Sequence, residues 1–305
     1  MTKLLTFRLS LGFAAFVGLA LAFVPLLAVH GAESALAMGL LLPPWAAATG
    51  AAYTLHNRNA RGIDLMLRAM GAGLAIWAVP TLILALNALR VRQCAPGEGL
   101  AFVILGPAVG CALAASAGVW VGGATKRPAL GPAIAAAVPV GATLLGLWAF
   151  YATPTVYLFG AFAGYFPGAI YDDLVRLPTR YLTYRASIVT AIVASTLLFD
   201  ALWNAEEGAL RPAARVRQRL GTVLVSIGAL GVVAASYGHG DDLGHWVSEA
   251  YVIERLGKTE QGRHCVVHMP RETAPEDARR ILEDCDFHVQ RTRERIGMRD
   301  GEPVT

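Results

Sequence analysis

The chain has 305 residues, of which 55% are apolar and only 16% are charged, and its mean hydropathy is +0.49. Soluble domains carry roughly 25% charged residues, so this composition excludes an ordinary soluble globule and predicts the lipid bilayer as the main partner of the chain. Residues 1–240 carry 16 basic and 8 acidic side chains, whereas residues 241–305 carry 10 and 14. Because no soluble face gathers the basic residues, nucleic acid is not an expected partner.

Seven stretches are long and apolar enough to cross hydrocarbon, which needs about 20 helical residues because backbone groups cannot stay unpaired among lipid tails. We therefore predict an all-α polytopic membrane helix bundle of seven transmembrane helices over residues 1–238. A small α/β extracytoplasmic segment, an incomplete domain by its size, is predicted over residues 239–305. The predicted spans are residues 9–29, 35–53, 69–89, 100–121, 129–151, 186–203 and 220–237.

Lysine and arginine in the short loops indicate the direction of these spans. With the N-terminus in the cytoplasm, eleven basic residues fall inside and five (Arg90, Arg92, Arg176, Arg180 and Arg185) fall outside. An odd number of spans then sends the C-terminal segment to the opposite side, which is the periplasm of a bacterium or the exterior of a cell with a single membrane.

The fourth predicted span carries a stripe of small residues every four positions, which lets helix backbones approach closely. This pattern, with prolines inside several spans, is compatible with a hinged transporter-like bundle or with ordinary helix packing. Asp200 is the acidic residue that lies well inside a span, and we expect it to reach the interface. The stripe consists of Gly106, Gly110, Ala114, Gly118 and Gly122.

The loop between the fifth and sixth spans contains the aromatic segment FGAFAGYFPGAIYDD at residues 159–173. Its glycines and proline make an uninterrupted helix unfavourable, so we expect the loop to lie in the outer interface or to form a shallow re-entrant turn. It is either a loop resting on the membrane or a platform that docks the tail or a partner. The residues of this interfacial loop are Phe159, Phe162, Tyr165, Phe166, Tyr171, Asp172 and Asp173, with the two aspartates toward water.

The tail is predicted to be a helix over residues 243–256, a strand over residues 263–269 and a second helix with a Thr273–Glu276 capping box. Cys265 on the strand and Cys285 on the apolar helix face are positioned for a disulfide, which closes a loop of about 20 residues and contributes about 3 kcal/mol. Cys94 is a competing partner in an outer loop, so the pairing stays open.

The sequence predicts no catalytic, cofactor-binding or metal-binding residues. His264 and His268 share one face of a strand, but four residues of strand separate them by about 13 Å, which is too far for one ion. The helical His-Glu-x-x-His arrangement of zinc peptidases does not occur in the chain.

Three segments, QCAPGEGLAF at 93–102, GYFPGAIYDD at 164–173 and GRHCVVHMPRE at 262–272, together resemble bacterial multi-pass membrane proteins with a periplasmic peptidase-MA-like (gluzincin) domain. The resemblance implies a bacterial inner membrane protein whose tail opens a protease domain. In that family the zinc-binding helix comes later than the segments found here, so no ligand or catalytic glutamate can be assigned to a residue of this chain.

These observations favour an integral membrane protein that acts as an anchor or docking scaffold for an extracytoplasmic domain. A tail of about 60 residues buries little surface, so we expect a protein partner or a further C-terminal domain to complete it. The alternatives are the N-terminal part of a membrane-anchored zinc metalloprotease and a transporter or permease-like bundle.

Overall fold

A computed structural model describes residues 2–168, 176–212 and 216–297, with side chains described from Thr6 onward. The chain divides into two compact units, Met1–Trp246 and Val247–Thr305. This boundary lies a few residues beyond residue 238, where the sequence suggested it, because the segment after the last long helix packs back onto the first unit through a hydrogen bond from Tyr157 to Gly244.

The first unit is built from apolar helices. Six segments of the described chain are long and apolar enough to cross a membrane: residues 32–56, 62–87, 96–124, 130–152, 179–202 and 220–238. The chain is therefore a mostly helical protein with six candidate membrane-spanning helices. The helices are α1 (Thr2–Ala22), α2 (Ala32–Leu41), α3 (Pro43–His56), α4 (Gly62–Asn87), α5 (Pro96–Val103), α6 (Val109–Ala124), α7 (Leu130–Ala152), α8 (Thr179–Leu202) and α9 (Leu220–Gly238).

The first predicted span, residues 9–29, is displaced toward the N-terminus, since α1 runs over Thr2–Ala22. Pro25 explains the early end, because a proline disfavours helical geometry in the residue before it. The helix runs parallel to α4: a β-carbon at Gly18 would meet Pro80, and Asn87 donates a hydrogen bond to the carbonyl of Ala22.

Two spans are interrupted where prolines occur. The helix over residues 32–56 breaks at Leu42, and Pro43 begins α3. A proline is tolerated there because the N–H of the first helical residue has no partner within the helix. Between α5 and α6 the chain makes a π-helical turn at Ile104–Ala108, which contains Pro107. A proline has no N–H to donate and its ring crowds the preceding turn, so a wider turn fits it.

Helices α3 and α6 lie at the centre of the unit, where alanines are fully buried and glycines allow close backbone contact. A β-carbon at Gly118 would overlap the carbonyl of Ala47, and one at Gly122 would crowd the carbonyl of Ala51. In contrast, α7 and α9 are peripheral and bury few residues. Their exposed apolar faces are the ones that hydrocarbon would cover.

One end of α8 is fastened to the loops around it. Asp200 accepts a hydrogen bond of 2.8 Å from the backbone of Ile63, in the first turn of α4, and pairs with Arg219 at 3.2 Å. The indole of Trp203 donates to the carbonyl of Ala60, and Arg58 donates to the carbonyls of Gly208 and of the end of α6. Asp200 thus caps a neighbouring helix, a role that its position in the sequence did not indicate.

The first unit also contains two short hairpins, β1 (Leu158–Gly160) with β2 (Gly164–Phe166) and β3 (Trp203–Asn204) with β4 (Ala209–Leu210). The second unit consists of α10 (Glu249–Leu256), a hairpin of β5 (Gly257–Gln261) with β6 (Val266–Pro270), and α11 (Pro275–Ile296). The predicted order of helix, strand and helix therefore missed β5, because its polar sequence KTEQ lacks the apolar alternation of a half-buried strand. Ser248 caps α10, which begins later than predicted, and α11 has no side-chain cap where the sequence suggested a capping box. Gly257 and Gly297 end the two helices as predicted.

Candidate functional site

The described part of the aromatic segment, residues 159–168, belongs to a β-hairpin that is buried among the helices. Strands β1 (Leu158–Gly160) and β2 (Gly164–Phe166) pair antiparallel, with Gly160 opposite Gly164. Gly164 has φ of 102°, a conformation that favours glycine. The rings of Phe159, Phe162 and Tyr165 are each at most 8% exposed. The hairpin enters the helical unit and returns, and its depth in a bilayer stays a prediction.

The backbone of this hairpin packs directly against glycines of two helices. A β-carbon at Gly39 of α2 would overlap the carbonyl of Ala163, and one at Gly110 of α6 would overlap the carbonyl of Phe162. Gly106 lies against Gly164, whose added β-carbon would stand 3.2 Å from the Cα atom of Gly106. The small-residue stripe therefore serves two neighbours: Gly106 and Gly110 face the hairpin, whereas Gly118 and Gly122 face α3. Ala114, between them, is fully buried.

Arg185 of α8 holds the hairpin from the other side and is only 1% exposed. Its Nη1 donates to the carbonyl of Ala161 at 2.9 Å, and its Nη2 donates to the carbonyl of Gly160 at 3.1 Å. Its Nε donates to the hydroxyl of Tyr181 at 2.9 Å. Within the described residues no carboxylate lies within 4.0 Å of this guanidinium. The charge is instead solvated by protein oxygens at the turn of the hairpin.

Aromatic rings surround this arginine. Phe159 lies 5.3 Å from Tyr165 and 5.2 Å from Tyr181, measured between ring centroids. The Arg185 guanidinium stands 5.0 Å from the ring of Tyr181 and 5.7 Å from that of Tyr184, within the range of cation–π attraction. The cluster therefore excludes water while offering the charge a favourable electrostatic environment.

The outer rim of this cluster involves the segment that follows α9. Tyr157 donates a hydrogen bond of 2.6 Å to the carbonyl of Gly244, and the guanidinium of Arg180 lies 4.0 Å above its ring. His245 lies 3.2 Å from the Thr183 hydroxyl and packs edge-on against Tyr184. Burial lowers the pKa of His245 because the charged imidazolium would lose its hydration. The rim therefore favours the neutral form of this imidazole.

The remaining residues of the predicted interfacial loop are placed differently. Phe166 is half-buried at the open end of the hairpin, where its ring packs against Phe150 at 5.4 Å between centroids. Tyr171, Asp172 and Asp173 lie outside the described residues. Arg185 is the functional residue that the sequence reasoning missed, since it was counted among loop charges. The sequence offers one indication of this role: Tyr181 lies one helical turn before Arg185, at the spacing that lets its hydroxyl accept from the guanidinium.

A second candidate site lies in the C-terminal unit, where Cys265 and Cys285 form a disulfide with Cα atoms 6.1 Å apart. Asp286 accepts three backbone hydrogen bonds of 2.7–2.9 Å, from Arg263, His264 and Cys265, and so holds the turn between β5 and β6. The bonds from His264 and Arg263 are the main reason that the pKa of Asp286 lies below its usual value.

The other cysteines and histidines form no site in the described chain. Cys94 is exposed and Cys111 is buried, and both are free. His268 bonds to the Thr259 hydroxyl at 2.9 Å. Among the residues whose placement is described, no three His, Cys, Asp or Glu side chains come together as metal ligands.

Comparison with protein-family models, with curated proteins and with solved structures gives no match to this chain.

Proposed function

We propose that the chain is a membrane anchor and docking scaffold that carries its C-terminal unit on the extracytoplasmic side of a bacterial inner membrane. The observation that best supports this role is the filled space between α2, α6 and α8. The hairpin occupies it, and Arg185 donates to protein oxygens from each of its three nitrogens. A charge committed in this way suits a static framework better than a path for ions.

The proposed orientation depends on α1 as a seventh crossing. At 21 residues, α1 is about 31 Å long at 1.5 Å per residue, which matches the thickness of hydrocarbon. The loop charges of the sequence, eleven basic residues on the inner side and five on the outer side, support a cytoplasmic N-terminus. The disulfide of the C-terminal unit is likewise typical of an oxidising compartment.

The C-terminal unit supplies the docking face of this scaffold. Its helix α11 has an apolar stripe that its own hairpin covers only in part: Ala278 is buried, whereas Ile281 is 45% exposed and Ile296 is 62% exposed. Exposed apolar side chains at helical spacing are the usual contacts of a partner that packs on a helix. The proposed occupant is an extracytoplasmic protein or a further domain of the same protein.

Site-specific photo-crosslinking in cells tests the proposal. A photoreactive amino acid at Ile281 or Ile296 of the full chain is expected to give a discrete crosslinked product. The same label at Glu283, whose side chain is 65% exposed on the same helix, is the matched control and should give none. Equal labelling at all three positions, or no product from either isoleucine, would contradict the docking role.

A transporter or permease-like bundle is the alternative favoured by the interrupted helices at Pro43 and Pro107. Movement of a solute into vesicles that contain the reconstituted protein would support the transporter over the scaffold. Substitutions that make the two interrupted helices continuous should then abolish the flux. The metalloprotease alternative depends on the sequence resemblance alone. A reading frame that continues into a His-Glu-x-x-His helix would support that alternative.

A further inference from the structure

An apolar cavity of about 160 Å³ lies beside the hairpin, between α2 and α7. It exists because α7 presents small residues there, so that helix and hairpin do not fill the space between them. Its wall includes Leu36 and Leu40 of α2, Gly146 and Leu147 of α7, and Leu158 and Phe166 of the hairpin.

The polar atoms at this wall are already bonded elsewhere. The hydroxyl of Thr143 donates to the carbonyl of Pro139 at 2.9 Å. The carbonyl of Gly160 accepts from Arg185 at 3.1 Å. A buried water needs two to four polar partners, and the wall presents an almost wholly apolar surface to the cavity. The cavity therefore suits a hydrocarbon ligand.

The cavity is continuous with the surface of α7 that faces outward. Leu40 and Leu147 in its wall are 41% and 40% exposed. Leu144 and Trp148, on the neighbouring turns of α7, are 61% and 73% exposed. Since α7 is long and apolar enough to cross a membrane, hydrocarbon tails cover this surface and have direct access to the cavity.

We propose that this cavity binds part of one acyl chain of a bilayer phospholipid. A dry apolar cavity of about 150 Å³ accommodates benzene, so this one accepts a segment on the order of six carbon atoms. The bound chain would pack against Leu158 and Phe166 and so fill the flank of the hairpin that the protein leaves open. The bilayer supplies this ligand at high concentration at the depth where the cavity opens.

Photolabelling of the full-length protein tests this site. The protein is reconstituted in vesicles of phosphatidylethanolamine and phosphatidylglycerol, with some phosphatidylethanolamine carrying a diazirine in one acyl chain. After illumination, mass spectrometry compares adducts on Leu36 and Leu158 with adducts on Leu144 and Trp148. We expect the wall residues to be labelled several-fold more, relative to their exposure, than the outward residues.

Gly146→Leu is the blocking variant. A β-carbon at position 146 would stand 3.5 Å from the Cδ2 atom of Leu158, an ordinary contact, so the larger side chain extends into the cavity. Gly141→Leu is the matched control, because no atom lies within 4 Å of its added β-carbon. The excess labelling should disappear in Gly146→Leu and persist in Gly141→Leu.

Ala142→Leu, from the same wall, repeats the test if Gly146→Leu fails to fold. Labelling that follows exposure alone in the unmodified protein would overturn the proposal. So would excess labelling that survives both blocking variants. A photoreactive amino acid at Leu36 that crosslinks to another copy of the chain would show that a protein, and not a lipid, occupies the cavity.

Discussion

Arg185 shows how a single side chain can fix a loop inside a membrane protein. A charge in hydrocarbon is expensive unless its donors find acceptors, and the hairpin turn offers the carbonyls of Gly160 and Ala161 as acceptors. The guanidinium therefore gains hydrogen-bond acceptors, and the two carbonyls gain donors. The sequence could not reveal this, because an arginine one or two turns into a helix has the same local pattern as an arginine that ends a loop.

Arg185→Lys is expected to lower the free energy of unfolding by more than about 2 kcal/mol, because one ammonium group cannot replace three directed bonds and leaves buried carbonyls unpaired. Titration of the detergent-solubilised protein with SDS measures the loss. Arg180→Lys is the control: Arg180 is exposed and stacks on Tyr157, so its effect should stay below about 1 kcal/mol. Equal effects of the two substitutions would contradict the proposed role of Arg185.

Asp286 gives the C-terminal unit a dependence on pH. Its pKa is lower in the folded unit than in the unfolded chain, so its contribution to stability is complete above the unfolded value, about 4, and is lost as the pH falls through the folded value. We expect the unit to lose stability below about pH 4, and Asp286→Asn to weaken that dependence.

Hydrogen exchange of the amides of Arg263, His264 and Cys265 in the full chain, measured across this pH range, checks the prediction. Asp284→Asn is the control, since Asp284 is an exposed neighbour on the same helix. It should leave the pH profile unchanged. An acid dependence that is the same in the Asp286→Asn protein would assign the effect to other groups.

At the scale of elements, the small-residue stripe shows what a sequence pattern does and does not specify. A period of four predicts a smooth helix face, and each stripe residue is indeed buried. The pattern does not say which backbone will occupy that face. The hairpin backbone packs against Gly106 and Gly110, whereas the backbone of α3 packs against Gly118 and Gly122. Small residues create space, and the long-range partner is decided by the rest of the fold.

Gly110→Ala is expected to destabilise the bundle by about 1–3 kcal/mol, because the added methyl group would overlap the carbonyl of Phe162 and force the hairpin from its seat. Gly228→Ala is the matched control within α9, since nothing lies within 4 Å of its added β-carbon. It should be neutral or slightly stabilising. Thermal unfolding of both variants in the same detergent compares them, and a Gly110→Ala protein as stable as the original would contradict the seating geometry.

The helices could be predicted from length and hydropathy because hydrocarbon imposes both. Their interruptions could not, since proline is tolerated in membrane helices whenever neighbours satisfy the freed groups. The hairpin escaped prediction for a related reason. Its strands have three residues each, too few for alternation to be visible, and they persist because helices surround them. In the tail, β5 is recognisable only through its partner β6.

At the scale of the whole molecule, the number of crossings decides where the C-terminal unit lies. With α1 as a seventh span, a membrane-impermeant maleimide added outside should label Cys265 or Cys285 after reduction, in a protein in which Cys94 is replaced by alanine. A cysteine at exposed Lys126 is the control and should react only after the membrane is opened. Labelling of the tail cysteines only after opening would mean that α1 does not cross.

The position of Arg185 after the hairpin in the chain also bears on biosynthesis. Residues 158–166 are synthesised before α8, so the two turn carbonyls have no guanidinium to accept from until α8 enters the bilayer. A carbonyl without a donor is unfavourable in hydrocarbon, so we expect residues 158–166 to enter the bundle only together with α8. A chain that ends before residue 185 and has left the ribosome is then expected to keep this segment open to protease.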